Sequence, residues 1–295
     1  MCRDERIECA VAAGDICGEG AVWHGSKSAL YWTDINRFLV HEFAPDRQTA
    51  RTWLFGEPVT SVNLTDDPDL FLLVFASRVG LWNPNNHPNM ETIYRLESAP
   101  GMRFNDAGID PAGVLWAGTM ANNVGSDGEE IAADFRDGVL YRIDAHGRAT
   151  EWENRIGISN TVAWSPDSTK FYFGDTIANS ISVYDFDSRT GTLSGKKEFL
   201  VAYPDGVPDG SAMDEEGFLW NARAGAGRII RIAPDGRVDR VVDLPVKNPT
   251  TCAFGGASLD TLYVTSARSA ERLSGSVFAL TPGPKGIPAG RFRIR

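Results

Sequence analysis

Six times along this 295-residue chain the same local pattern recurs, a turn rich in Asp or Gly followed by a short apolar strand with a bulky anchor. The anchors are Tyr31, Leu72, Trp116, Tyr172, Trp220 and Tyr263, separated by 41, 44, 56, 48 and 43 residues. The clearest copies read Ile109-Asp110-Pro111-Ala112-Gly113-Val114-Leu115-Trp116 and Met213-Asp214-Glu215-Glu216-Gly217-Phe218-Leu219-Trp220. Looser copies place Ser165-Pro166-Asp167-Ser168 before Tyr172 and Gly255-Gly256 before Tyr263. A further strand follows each anchor, as in Gly138-Val139-Leu140-Tyr141-Arg142-Ile143, and ends in another turn such as Ala233-Pro234-Asp235-Gly236. Short strands between Gly, Asp and Pro turns, without a long amphipathic helical stretch, make the chain all-β. A unit of 40–50 residues cannot bury its apolar faces alone, so the copies must stack on one another. The expected architecture is a six-bladed β-propeller formed as one domain over residues 1–295. The longest spacing contains Asn122–Arg136, read as an inserted loop over one face. Ile7–Val11 is expected to give the last blade its outer strand and to close the ring.

Charge and motif content narrow the function. A net charge of −10 argues against nucleic acid, whose phosphates call for Lys and Arg. No run of eighteen apolar residues predicts a membrane span, and the N-terminus lacks a secretory apolar region, so a cytoplasmic protein is expected. Cys2, Cys9, Cys17 and Cys252 lack C-x-x-C spacing and read as reduced thiols. No G-x-S-x-G elbow is present, and Gly225-Ala226-Gly227 lacks the third glycine of a dinucleotide fingerprint, so no organic cofactor is expected. His24, His41, His87 and His146 show no paired metal-binding spacing and read as surface turn or strand-edge residues.

Against that background four polar residues stand at one register of the repeat. Glu19, Asn105, Asn160 and Asp209 each lie eleven or twelve residues before an anchor, and Ser61 and Thr251 fill the same place in the two other copies. They are expected immediately before the innermost strands, at the channel mouth, where equivalent positions of a closed ring converge on its axis. One such residue alone would be read as a strand cap. Two carboxylates and two amides together suit one hard divalent cation, Ca²⁺, Mg²⁺ or Mn²⁺, with Zn²⁺ possible in an open catalytic site.

The motifs also resemble those of the SMP-30/gluconolactonase/luciferin-regenerating-enzyme-like family, which includes regucalcin and bacterial sugar lactonases. The matching segments are Gly18-Glu19-Gly20-Ala21-Val22-Trp23, Arg103-Phe104-Asn105-Asp106, Ala117-Gly118-Thr119-Met120, Ile158-Ser159-Asn160, Pro208-Asp209-Gly210 and Cys252-Ala253-Phe254-Gly255-Gly256, in order from about Ile7 to about Leu280. The resemblance implies a propeller with one central divalent metal on Glu19, Asn160 and Asp209, Asn105 lying close by or in the shell. It implies substrate contacts from Arg103 and Asn105, joined by Asn123 on the overhanging loop. Mammalian members carry two acidic residues where this chain has Asn122-Asn123, which leaves the sugar open. Asp205 sits in a second Pro-Asp-Gly, but Asp209 alone has the eleven-residue spacing to Trp220. The implied activity is metal-dependent hydrolysis of a sugar lactone to its aldonic acid, with Asp209 as metal ligand and general base, in a monomer or weak homo-oligomer. Two other readings share the site: an organophosphate or other ester hydrolase, and a non-catalytic calcium-binding regulatory propeller.

Overall fold

The recurring Asp–Gly turn is a hydrogen-bonded unit that ties three strands together. Asp110 accepts the N–H groups of Ala112 and Val114 on Oδ1, both at 2.9 Å, and takes Trp116 Nε1 (3.0 Å) and Arg142 Nε (3.2 Å) on Oδ2. Asp214 repeats the arrangement with Glu216, Phe218, Trp220 and Arg231. Gly113 and Gly217 close these turns at φ +84° and +83°, a backbone region that side chains with a Cβ disfavour. Each aspartate thus shapes a turn, pins the anchor indole and neutralises an arginine from the following strand. Asp214→Ala leaves the Trp220 indole N–H and the turn N–H groups of Glu216 and Phe218 without their acceptor and takes one of three carboxylates from Arg231, and is expected to cost about 3 kcal/mol in denaturant unfolding. Asp144 makes the same kind of turn in a more open place, with Arg148 as its exposed partner. Asp144→Ala should lose only about 1 kcal/mol. Equal losses would show that the turn, not the buried network, dominates.

The computed structural model describes residues 6–97, 101–133 and 136–294, so Cys2 lies outside the described residues. Its six sheets are each an antiparallel blade of four strands, the second blade carrying a fifth, parallel strand at its inner edge. The innermost strands are Gly18–His24, Val59–Thr65, Met102–Ile109, Ser159–Trp164, Val207–Met213 and Pro249–Gly255. Each contacts the next and the last contacts the first, forming a ring around a channel. Glu8–Val11 pairs with Val277–Leu280 and completes the sixth blade, as expected.

All six anchors lie in the second strands of their blades. Each packs onto the blade that follows. Tyr31 meets Phe71 at 4.5 Å between ring centroids, Trp116 meets Phe171 at 5.2 Å, Trp220 meets Phe254 at 6.2 Å, and Tyr263 stacks on Trp23 at 5.8 Å. Leu72 joins the cluster of Phe104 and Ile109, and Tyr172 that of Met213. The sequence period is therefore the period of inter-blade packing, which is where the apolar burial lies.

Two features depart from the sequence reading. His24 and His41 are buried, 1% and 8% exposed, rather than at the surface. His24 Nδ1 accepts the Lys27 N–H, so Nε2 bears the proton donated to Pro68 O, and the ring packs on Phe71. His41 bonds Thr52 Oγ1 through Nδ1 and stacks on Trp32. The second departure is the C-terminal segment, which crosses the channel end remote from the four polar residues. It bonds blade five through Ile287 N to Met213 O, blade six through Gly286 N to Leu259 O, and blade three through Arg293 N to Gly113 O. It then adds Arg291–Phe292 in parallel to the second blade. Ile287 and Pro288 border a cavity of about 450 Å³ in that half of the channel.

Candidate metal and substrate site

The polar residues lie inside the innermost strands, not before them, because each strand carries a β-bulge there. The pairing slips between Glu19 and Val22, Phe104 and Ala107, Asn160 and Val162, and Pro208 and Ser211. A bulge leaves one residue unpaired and re-aims the neighbouring side chains. Each anchor pairs with the residue three places after the site residue: Tyr31 with Val22, Trp116 with Gly108, Tyr172 with Ala163, Trp220 with Ala212. In the other two blades Leu72 pairs with Asn63 and Tyr263 with Ala253. The equivalent residues there are Thr60 and Thr250, which corrects the assignment to Ser61 and Thr251 by one position. Thr60 Oγ1 donates to Val74 O, and Thr250 Oγ1 donates to Gly18 O. Their hydroxyls are spent on the backbone, while Ser61 and Thr251 line the channel below.

The amides form a directional chain. Arg103 Nη1 donates to Asn105 Oδ1 at 2.7 Å; Asn105 Nδ2 donates to Ser159 O (2.8 Å) and Asn160 Oδ1 (3.1 Å); Asn160 Nδ2 donates to Thr176 Oγ1 at 2.7 Å, whose proton goes to Pro208 O. This chain assigns every amide oxygen. It leaves Asn160 Oδ1 with a second acceptor site for a cation. Arg103 also clasps Asn123 Oδ1 through Nε and Nη2, at 2.9 and 2.8 Å. The loop bearing Asn123 crosses from the third blade to the first, where Asn36 Nδ2 donates to Gly128 O at 2.8 Å. The insertion therefore overhangs the mouth as the sequence implied.

Glu19 and Asp209 face each other closely enough to share a hydrogen bond. Both touch solvent in the channel yet have protein on all sides. Burial first, and then the charge of nearby carboxylates, drives Glu19 well above the usual carboxylate range and Asp209 up to about 8. Without a cation the pair retains a proton near neutral pH. Among the described residues no group of three or more His, Cys, Asp or Glu side chains is arranged to hold a metal. An ion here needs amide oxygen as well as the two acids, an oxygen-only set that fits a hard divalent cation.

Asp106 was not singled out from the sequence. It occupies the same bulge as Asn105, accepts the Ala107 N–H at 2.8 Å, and is pushed by burial to about 7. Its charge raises the proton affinity of both Glu19 and Asp209, and it borders the rear cavity. Its place directly after Asn105 was the available signal. Arg223 was also missed. It is buried and donates to Asp205 O, Gly206 O and Asn179 Oδ1, fixing the segment that leads to Asp209. Asp205 itself pairs with Arg228 at 2.6 Å.

A sequence model of the SMP-30/gluconolactonase/LRE-like region matches residues 17–268. A 6-deoxy-6-sulfogluconolactonase of Pseudomonas putida is 34% identical over 286 residues, covering 94% of each chain. A pentonolactonase of Haloferax volcanii is 31% identical over 292 residues, 94% of this chain and 95% of that one. Among solved structures, a calcium-binding protein, regucalcin, from Agrobacterium tumefaciens superposes with a TM-score of 0.88 at 27% identity, covering 99% of this chain and 98% of its own.

Proposed function

The chain belongs to the SMP-30/gluconolactonase/LRE-like family, and on that premise we propose that it is a lactonase that hydrolyses a sugar lactone to the aldonic acid. The observation that supports this reading most is the Glu19–Asp209 acid pair beside Asn160 Oδ1, at a mouth furnished with the donors of Arg103, Asn105 and Asn123. Glu19, Asn160 and Asp209, with Asn105 alongside, would hold a single divalent cation, Ca²⁺, Mg²⁺, Mn²⁺ or Zn²⁺. Bound there, such an ion would supply Lewis-acid chemistry and electrostatic stabilisation of negative charge. Asp209 takes a proton from the attacking water as its oxygen bonds to the carbonyl carbon. The ring C–O bond then breaks, and the departing ring oxygen recovers that proton to become a hydroxyl. Burial and the Asp106 charge oppose the loss of basicity that a neighbouring cation imposes on Asp209. Arg103 and Asn105 hold the sugar oxygens, and the Asn123 loop limits access of bulk water.

A sugar lactone as substrate agrees with the relatives named as a 6-deoxy-6-sulfogluconolactonase and a pentonolactonase. No helix among the described residues is long and apolar enough to cross a membrane. Cytoplasmic location, a monomeric or weakly associated state, and independence of nucleic acid and organic cofactors belong to the same reading. Hydrolysis of an organophosphate is disfavoured by a mouth built from hydrogen-bond donors. A calcium-binding regulator without catalysis is the reading that the regucalcin likeness keeps open. The test is a panel of five- and six-carbon aldono-1,4- and 1,5-lactones and a phosphotriester, assayed after chelation and after return of each metal. We expect turnover of at least one lactone, loss on chelation and recovery on metal return. Bound metal without turnover of any lactone would instead support the regulator.

A further inference from the structure

We propose that Asp34, Asp175 and Arg223 are positioning residues for the central cation: charged clamps, one in each blade that offers Glu19, Asn160 or Asp209, which grip the backbone entering the bulge and so set the aim of that ligand. This rests on the metal-dependent reading above. The first observation is one of register. Asp34 pairs with Gly18, Asp175 with Ser159 and Arg223 with Pro208, in each case the residue just before the ligand. The three other blades place Phe75, Thr119 and Ser266 at the same point, opposite Val59, Phe104 and Pro249. None of those carries a charge. All six positions stand three residues after their anchor, so the pattern is written in the sequence.

The second observation is what these side chains hold. Asp34 accepts the N–H groups of Ile16 and Cys17 on its two oxygens, at 2.9 and 3.1 Å, and Asp175 accepts those of Gly157 and Ile158 at 3.0 and 3.2 Å. Both pairs of donors lie three and two residues ahead of the ligand. Arg223 is the mirror case, its fork donating to Asp205 O at 3.1 Å and Gly206 O at 2.7 Å, four and three residues ahead of Asp209. The neutral counterparts stay within their own blades: Thr119 Oγ1 bonds both backbone groups of Val139, and Ser266 Oγ donates to Ser276 O. A charged fork on two successive backbone groups is stronger than a neutral hydroxyl and fixes direction as well. The clamps of blades four and five also meet. Asp175 shapes its own turn through the Ile177 N–H, and that turn bears Thr176 and Asn179. Thr176 Oγ1 takes Asn160 Nδ2 and donates to Pro208 O, while Asn179 Oδ1 takes Arg223 Nη2 at 2.8 Å. Asn160 and Asp209 are therefore set by one connected frame. Groups that orient metal ligands commonly govern affinity by about 10–100-fold.

The experiment is calorimetric titration of Ca²⁺, Mg²⁺, Mn²⁺ and Zn²⁺ into the chelated full chain, as wild type, Asp175→Asn, Arg223→Gln and Ser266→Ala, with folding checked by melting. Asp34 is set aside because it also pairs with Arg37. The two clamp variants remove charges of opposite sign. If only the electrostatic field acted, Asp175→Asn would weaken cation binding and Arg223→Gln would tighten it. Clamping predicts that both weaken it, by about tenfold in Kd, while Ser266→Ala binds as wild type does. A purely structural role would lower the melting temperature and leave Kd of the folded protein unmoved. If a neutral variant does not fold, Arg223→Lys and Asp175→Glu put the same question with the charge kept, since an ammonium cannot span two carbonyls and an added methylene displaces the fork. Weaker binding is again expected. Unchanged Kd in the folded clamp variants, shifts of opposite sign, or an equal loss in Ser266→Ala overturn this proposal and leave the lactonase reading standing. A wild-type chain that binds none of the four ions overturns both.

Discussion

Asp209→Asn is expected to lower kcat by about 10²–10⁴, the usual loss for a general base, while the protein stays folded and still binds its metal. The backbone supports this expectation. Asp209 O accepts Thr161 Oγ1 at 2.6 Å and Asn221 Nδ2 at 3.0 Å, and neither bond depends on the side-chain charge. The amide keeps an oxygen toward the cation and offers an N–H to Glu19 in place of the shared proton. What it lacks is a site that can accept a proton near neutral pH. Asp209→Ala should differ by losing much of the metal affinity as well. Arg103→Ala should retain metal and act chiefly on KM or on the choice of sugar. Steady-state kinetics with metal content measured on the same samples separates these cases. A metal-loaded Asp209→Asn enzyme with near-normal kcat would remove Asp209 as the base and turn attention to Glu19 or Asp106.

The architecture was legible because inter-blade packing places a bulky side chain at each repeat, and volume is visible in sequence. Tyr31, Leu72, Trp116, Tyr172, Trp220 and Tyr263 all serve that purpose. The acidic and amide residues were legible for the same reason, since their distance from an anchor is nearly constant. The bulges were not. A bulge inserts a residue that pairs with nothing, so counting back from an anchor can err by one, as it did at Ser61 and Thr251. The burial of His24 depends on the Pro68 carbonyl and the Phe71 ring of the next blade, contacts that no local pattern encodes. The C-terminal crossing rests on a two-residue strand and single backbone bonds, too little for a periodic signal. Asp106 was hidden by its neighbour, because a bulge turns two successive residues toward the channel where an ordinary strand turns one.

The metal-free protein is expected to lose thermal stability as pH rises through about 8, and a divalent cation to restore it most strongly at that alkaline end. Asp209 is raised in the fold by burial, then by Asp106, to about 8, and Glu19 is raised in the same direction. Unfolded, both release their protons near the ordinary carboxylate value of about 4. Between those limits the folded state holds more protons than the unfolded one, so stability falls with rising pH. The contribution is full below the unfolded value and lost as pH passes the folded one. Carboxylates held below their ordinary value, such as Asp144 and Asp167, act with the opposite sign but only in acid. His24, lowered by burial, also opposes the effect, though only up to its ordinary value near 6.5. In the window from pH 7 to 9 the acid pair acts with the same sign as Asp106, raised by burial to about 7, and as the thiols of Cys17 and Cys252, raised by burial, so the pair's share is the difference between wild type and Asp209→Asn. A cation competes with the same protons, so its affinity should climb across this window. At a hundredfold excess over Kd it adds about 2.7 kcal/mol, several degrees of melting temperature for a chain of this length. Melting curves of chelated and metal-loaded protein, with Asp209→Asn as the control that lacks one titrating group, test the argument. A chelated wild-type protein whose melting temperature does not fall between pH 7 and 9, or a metal-induced shift of equal size at both ends, would show that the pair does not hold its proton in the fold.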